Sequence, residues 1–427
     1  MAAPTSKAVV IGALAAVPFV MVLGNSVLIP VLPEMARQMH VSKMAISLLI
    51  TLFSVPAGVV IPLAGAFSDA LSRKWVVIPS LFLFGAGGVL AGVCAAVLPH
   101  PYVWVLIGRM LQGIGAAGTA PIAMAWMADQ FQGAERSKAL GASEAGNAFG
   151  KVISPILGSA VGLIAWFAVF FVFPLLCLPL AWVVWRTVSD SKRPENRQNL
   201  RDYLRSLGQL FRREGHWLWV AYLSGAAALF NLFGVLFYLS DLLETVHKVA
   251  GIRQGLYLAI PLVAQTLAAL AAGWLMNSRK QLMKWLLVMG FVLLAAALGC
   301  ASWLVDRPWW LLALLTAGAI GTGSILPSLN TLITSVVGQE QRGIVTSFYN
   351  CVRFLGVAFG PPVYTWLLSY SARTMFLVVS GLAVALAILD GFFIRVGHRS
   401  PPQSGALGEK RGMDRKRSAR VHRMGKV

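Results

Sequence analysis

"GAFSDALSRK", residues Gly65–Lys74, lies between two hydrophobic runs, 44–66 and 75–98, each long enough to cross a bilayer. Asp69 follows Gly65 by about one helical turn, and Arg73 and Lys74 stand just before the next run. So tight a group of charges between two spans reads as a short loop on one membrane surface. There the Asp69 carboxylate can pair with basic residues of neighbouring helix ends and latch one conformation of a bundle.

Working outward, the chain has 427 residues, 57% of them hydrophobic and 12% charged, with a mean hydropathy of +0.72. That balance belongs to a membrane protein. Apolar runs of spanning length occur near 8–32, 44–66, 75–98, 102–127, 137–159, 163–186, 216–240, 252–276, 285–305, 309–336, 343–370 and 374–396. The first run lacks a convincing small-residue cleavage site and is read as a retained helix.

A net charge of +20 raises the question of a nucleic-acid partner. With the N-terminus placed in the cytoplasm, most Lys and Arg fall in loops and tail on that same side, as the positive-inside rule requires. The basic charge therefore reports topology and no nucleic acid is expected. Both termini are expected in the cytoplasm and the chain in a plasma membrane. Residues 397–427 form a basic tail expected to be disordered, either resting on anionic lipid or simply solvated. Cys94, Cys177, Cys300 and Cys351 lie inside apolar runs without paired spacing, which argues for neither disulfides nor a metal. No hydrolase, nucleotide-binding or zinc signature is present, so neither an enzyme nor a cofactor is expected.

Residues 187–215 form the longest internal polar segment and divide a bundle at 1–186 from another at 216–396. Within it "NLRDYLRSLGQLF" has leucines at helical spacing, which suits a short amphipathic helix on the membrane surface or a hydrated linker. A shift of 206 positions aligns the two bundles: Arg73 meets Arg279, Lys74 meets Lys280, Gly115 meets Gly321, Pro121 meets Pro327, Arg136 meets Arg342, Gly150 meets Gly356 and Pro155 meets Pro361. Chance matches in apolar sequence favour Leu, Ala and Val, so coincident Arg, Gly and Pro mark a duplication.

A charge within a span requires a cavity or a partner. Arg109, Lys151 and Arg353 are such cations. Glu144, Asn147 and Lys151 share one helical face of the fifth span, beside a small-residue stripe of Gly146, Gly150 and Ser154. One stripe is expected to pack and the other to line water. A carboxylic acid in a poorly hydrated cavity is pushed towards its neutral form, so Glu144 is a candidate proton carrier; a fixed Glu144–Lys151 pair is the competing reading. Asn25 offers substrate a hydrogen bond. Phe348, Tyr349, Asn350 and Arg353 interleave aromatic and polar groups and are read as pocket lining. Asp241 and Glu244, near one end of the seventh span, and Asp390, near the end of the twelfth, are read as interfacial.

Gly65, Asp69, Arg73 and Lys74 resemble the signature loop of the major facilitator superfamily. "GNSVLIPVLP" (24–33), "GRMLQGIGAAG" (108–118) and "GNAFGKVISPILG" (146–158) resemble motifs of its twelve-helix drug:proton antiporter branch. The resemblance covers roughly residues 10 to 395. It implies an all-α integral membrane protein with twelve transmembrane helices in two pseudo-symmetric six-helix bundles. It also implies a gating role for Gly65, Asp69, Arg73 and Lys74, and proton coupling at Arg109 with Gln112 and Gly113 beside it. A helix-interface role follows for Gly146, Gly150, Pro155 and Gly158. Asn25, Gln112, Asn147, Lys151, Phe348, Asn350 and Arg353 are then expected around the substrate cavity.

The expected activity is proton-coupled efflux of small amphiphilic compounds by a monomer working by alternating access. Transport of an anionic metabolite or lipid headgroup, or a non-transporting sensor, are the alternatives.

Overall fold

The structure is a computed structural model that describes residues 6–190, 200–278, 282–336 and 342–394. Arg279, Lys280 and the 397–427 tail lie outside the described residues, as does the 191–199 part of the linker.

Every described regular element is a helix. In the first half α1 (Lys7–Ser26) continues through a 3-10 turn (Ile29–Val31) into α2 (Leu32–Gln38), followed by α3 (Lys43–Ala70) and α4 (Lys74–Val97). Then come α5 (Tyr102–Ala117), α6 (Ala120–Gln130), α7 (Gly133–Gly162) and, after a turn at Ala168–Phe171, α8 (Val172–Thr187). The second half holds α9 (Leu200–Thr245), α10 (Ile252–Ser278), α11 (Leu282–Ala301), α12 (Pro308–Val336), α13 (Arg342–Leu368) and α14 (Ala372–Phe393). The helix expected in the linker is the start of α9, which breaks at Gly215, whose φ of 9° and ψ of −92° are non-helical.

Ten segments among the described residues are long and apolar enough to cross a membrane. The remaining two crossings are α5–α6 and α7, and chain direction requires them. Lys74, at the start of α4, donates to the Trp185 and Val188 carbonyls at the end of α8, and Lys7 pairs with Glu135 at the start of α7. These ends share one face, here called the terminal face because α1 begins and α14 ends there; the opposite face is distal.

Both exceptions fall short for physical reasons. Span four is broken where Gly118 and Thr119 leave the helix and Pro121 opens α6. Span five carries Glu144, Asn147 and Lys151 among glycines and serines, which lowers its hydropathy.

The duplication survives as matched packing. A Cβ on Gly115 would stand 2.5 Å from the Phe84 backbone nitrogen, and one on Gly321 would run into the Gly290 carbonyl, a pair displaced by the same 206 positions. Along α7, Gly146 and Gly150 lie against the Ala15 and Phe19 carbonyls of α1, and Gly158 against the Val27 carbonyl just past its end. Along α13, Gly356 and Gly360 lie against the Ala226 and Phe230 carbonyls of α9. Without Cβ atoms these helices approach backbone to backbone. The small-residue stripe of span five is therefore a packing face inside its own half.

Candidate functional site

The halves meet along two seams. At the first, α3 follows α13 over its length: Thr51 Oγ1 donates to the Ala358 carbonyl at 2.6 Å, Gly58 faces the Cys351 carbonyl and Phe354, and Gly65 faces the Ser347 hydroxyl. These α3 residues are seven apart, two turns on one face.

The second seam, α7 against α10, closes at the distal end only. Gly255 is packed on the Pro155 carbonyl, Ile156 and Ser159, and Gly251 on Leu163. Eighteen residues away, five full turns and so the same side of each helix, Gly141 and Gly273 have open space where a Cβ would stand. The seam thus parts over about 27 Å towards the terminal face.

Ion pairs reinforce the distal closure. Arg37 of α2 bonds both Glu34 and Glu244, Lys43 of α3 meets Asp241 at 2.6 Å, and Ser240 Oγ donates to the Ile29 carbonyl at 2.8 Å. Gln254 Nε2 adds a 3.2 Å bond to Ser240 Oγ. Asp241 and Glu244 are buried by these partners, so they bridge the two halves rather than sitting at a lipid interface. Sequence reasoning missed this group. The 206 shift sets Arg37 opposite Leu243 and Lys43 opposite Val249, so it pairs neither with its acid and the sequence held no direct signal for the group.

On the terminal face Arg73 bonds Asp69, Asp129 at 3.1 Å and Ser68 Oγ at 2.6 Å. With Lys74 on the end of α8, the hydrogen-bond and ion-pair partners of Arg73 and Lys74 among the described residues all lie in the N-terminal half, while Gly65 faces Ser347 of the other half.

Mouthward of the distal closure stand the polar residues of α7 and α13. Lys151 lies one turn from Pro155 and is half-buried, Asn147 is half-buried and Glu144 is exposed. Lys151 is close enough to interact electrostatically with Arg353 across the seam and with Glu144 on its own helix. No ion pair joins Glu144 to Lys151 among the described residues, which removes the fixed pair as a description of this conformation. Arg353 donates to Asn350 Oδ1 at 3.3 Å, lies 5.3 Å from the Tyr349 ring centre and keeps its buried Nε without a partner.

Three expected cavity residues lie elsewhere. Phe348 packs on Tyr222 of α9 at 5.7 Å; two residues from Asn350 it is about 200° round the helix, so interleaving along the sequence did not put them in one pocket. Asn25 and Gln112 belong to the buried set around Arg109. The Arg109 guanidinium, fully buried, donates to the Leu49 carbonyl at 3.0 Å, the Gly24 carbonyl at 2.8 Å and Gln112 Oε1 at 2.7 Å, and also to Asn25 Oδ1. It also lies 4.4 Å from the Phe53 ring centre. Asn25 Nδ2 completes the set by donating to Ser54 Oγ at 2.9 Å. This cation ties α1, α3 and α5 together through carbonyl and amide oxygens and is in no ion pair among the described residues.

The sequence matches the Major Facilitator Superfamily over residues 14–361 and 255–423. The chain belongs to this superfamily. Its curated relatives include the bacillibactin exporter of Bacillus subtilis (strain 168), 40% identical over 384 residues, 90% of this chain and 95% of that one. A tetracycline resistance protein, class E, of Escherichia coli is 26% identical over 403 residues, 88% and 93% of the two chains.

Among solved structures, a bacterial homolog of the human lysosomal transporter Spinster, in an inward-facing and unoccupied conformation, superimposes with a TM-score of 0.75 at 17% identity. It covers 93% of this chain and 100% of its own. The human organic anion transporter MFSD10 does so with 0.68 at 18% identity, covering 90% and 99%. Both share the fold. The chain is thus a multi-pass membrane transporter and not an enzyme.

Proposed function

We propose that the chain exports a small organic compound by alternating access, the cargo presenting an anionic group to Lys151 and Arg353. The observation that carries this reading is the approach of two cations, one from each half, with no carboxylate in an ion pair with either among the described residues. Cations so placed repel each other and are costly in a membrane interior unless an anion arrives between them. A cargo that touches both halves holds them together on its own side, which is the differential contact that alternating access needs. The 40% identity to a bacillibactin exporter supports export as the direction and a small organic cargo.

The terminal face is cytoplasmic in this account, in accord with the bias of basic residues, and the membrane is the plasma membrane. The conformation described is then open to the cytoplasm and closed outside, ready to load. Glu144 is exposed beside the open seam and not in the poorly hydrated cavity expected of it; it serves as the proton-exchanging acid only where that seam closes over it, so that cargo leaves as protons enter. Arg109 acts by positioning: it fixes the three helices on which the N-terminal side of the seam is built. Amphiphilic cargoes without an anionic group remain the competing reading.

The test is collapse of an imposed proton gradient in inverted vesicles across a panel of anionic, neutral and cationic amphiphiles. Collapse by anionic compounds that disappears in Lys151→Ala and Arg353→Ala supports the reading. Collapse by cationic or neutral compounds unaffected by either change overturns it. Proton coupling unchanged in Glu144→Gln removes Glu144 from the mechanism.

A further inference from the structure

Asp390 of α14 was expected at the membrane interface, yet it is fully buried. Ser224 Oγ of α9 donates to its Oδ1 at 2.8 Å, and its Oδ2 is buried without a partner among the described residues. The helices packed on α14 are α9, α11 and α13. From α11, Lys284 directs its ammonium to the Gly391 carbonyl at 2.6 Å instead of to the carboxylate. From α9, His216 lies one turn further along, against the Phe393 ring. From α13, Tyr349 is within electrostatic range of Asp390 and of Arg353, and its buried hydroxyl has no partner.

The contrast with the other buried acids is direct. Asp241 and Glu244 have Lys43 and Arg37; Asp390 is in no ion pair among the described residues. An ionised carboxylate left in that position is strongly disfavoured, whereas a carboxylic acid accepts from Ser224 and retains an O–H to donate. Among the described residues the Tyr349 hydroxyl, within electrostatic range of Asp390 and one turn from Arg353, is likewise buried and lacks a partner.

We propose that Asp390 is a proton-binding site of the C-terminal bundle, linked through Tyr349 to the seam cation Arg353. Asp390 lies three residues from the end of α14, roughly 5 Å along the axis from the helix end at the terminal face. Its carboxylic acid gives its proton to water there and becomes a carboxylate, and takes a proton back from hydronium; no other bond changes. Movement of α13 when cargo engages Arg353 brings the Tyr349 hydroxyl to or from Asp390 and so ties proton occupancy to cargo. Ser224 is a positioning residue. This site is separate from Glu144; its proton binding needs no cargo, while its coupling to cargo rests on the role proposed above for Arg353.

The experiment is infrared spectroscopy of the purified full-length chain in lipid over a pH series, needing no cargo. Expected is a protonated carboxylic-acid carbonyl band at neutral pH that fades as pH rises, is absent in Asp390→Asn and persists in Glu144→Gln. In Ser224→Ala, which keeps the acid, the band should move to higher frequency as its hydrogen bond is lost. A pH series of Asp390→Asn that superimposes on wild type overturns the proposal, as does an unshifted band in Ser224→Ala. A band lost only in Glu144→Gln would assign the titrating proton to Glu144 and overturn this site while leaving the proposed export intact.

Discussion

The two seams between the halves are built from equivalent helices, α3 with α13 and α7 with α10, yet one is closed from end to end and the other only at its distal end. A duplicated chain would make both alike if the repeat alone decided. The difference lies in what fills each seam. On the α3–α13 side, small residues and hydroxyls meet carbonyls at Gly58, Gly65 and Thr51. On the α7–α10 side, the tight packing at Gly255 gives way one turn from Pro155 to Lys151, and then to Asn147 and Glu144, which need water or a ligand in place of a helix. The first seam has the build of a pivot and the second that of a mouth.

Locking the mouth should have the largest effect. In a background with the native cysteines replaced, a disulfide between Ser159→Cys and Gly255→Cys holds the distal closure shut, and transport should fall to background and return on reduction. A disulfide between Gly58→Cys and Phe354→Cys, where a Cβ on Gly58 stands 3.3 Å from that of Phe354, should leave most transport in place. Equal loss from both cross-links would break the distinction.

Next in size, Arg353→Ala or Lys151→Ala should weaken binding of anionic cargo by roughly 10- to 100-fold. That corresponds to the ~1.5–3 kcal/mol of a hydrogen bond to a charged group, and is measured as a shift in half-saturating concentration.

Gly255→Leu forces a side chain onto the Pro155 carbonyl and Ser159, an overpacking cost of about 1–3 kcal/mol. It should bias the chain against distal closure, read as increased labelling of a distal cysteine probe. The smallest effect is expected from Lys43→Ala: its ion pair with Asp241 is half exposed at the lysine end and contributes about 0.5 kcal/mol. Accessibility should rise only slightly, and less at high salt.

Much of this was legible in the sequence because membranes impose simple rules. Ten of the spans followed from apolar length, and the two halves from Gly, Arg and Pro coincidences. Other features left no mark. Two of the four acceptors of Arg109 are backbone carbonyls, which every residue has, so its sequence context could not show that it binds helices together and draws Asn25 and Gln112 with it. Phe348 and Asn350 are neighbours in the chain and opposed on the helix. Asp390 stands near a helix end, which suggested the interface, but α9, α11 and α13 cover it. Partners of Asp241 and Glu244 come from the other half, a relation visible only after the halves are placed together.

The most direct test is a pair of distances measured by spin labels in lipid: Gly141→Cys with Gly273→Cys across the mouth, and Phe67→Cys with Gly343→Cys across the pivot. Gly141, Gly273 and Gly343 have open space beside them and Phe67 is exposed, so the labels fit without disturbing packing. The account predicts that the mouth distance has two populations whose balance shifts between acidic and alkaline pH, while the pivot distance stays single. Equal shifts at both seams, or movement at the pivot alone, would contradict it.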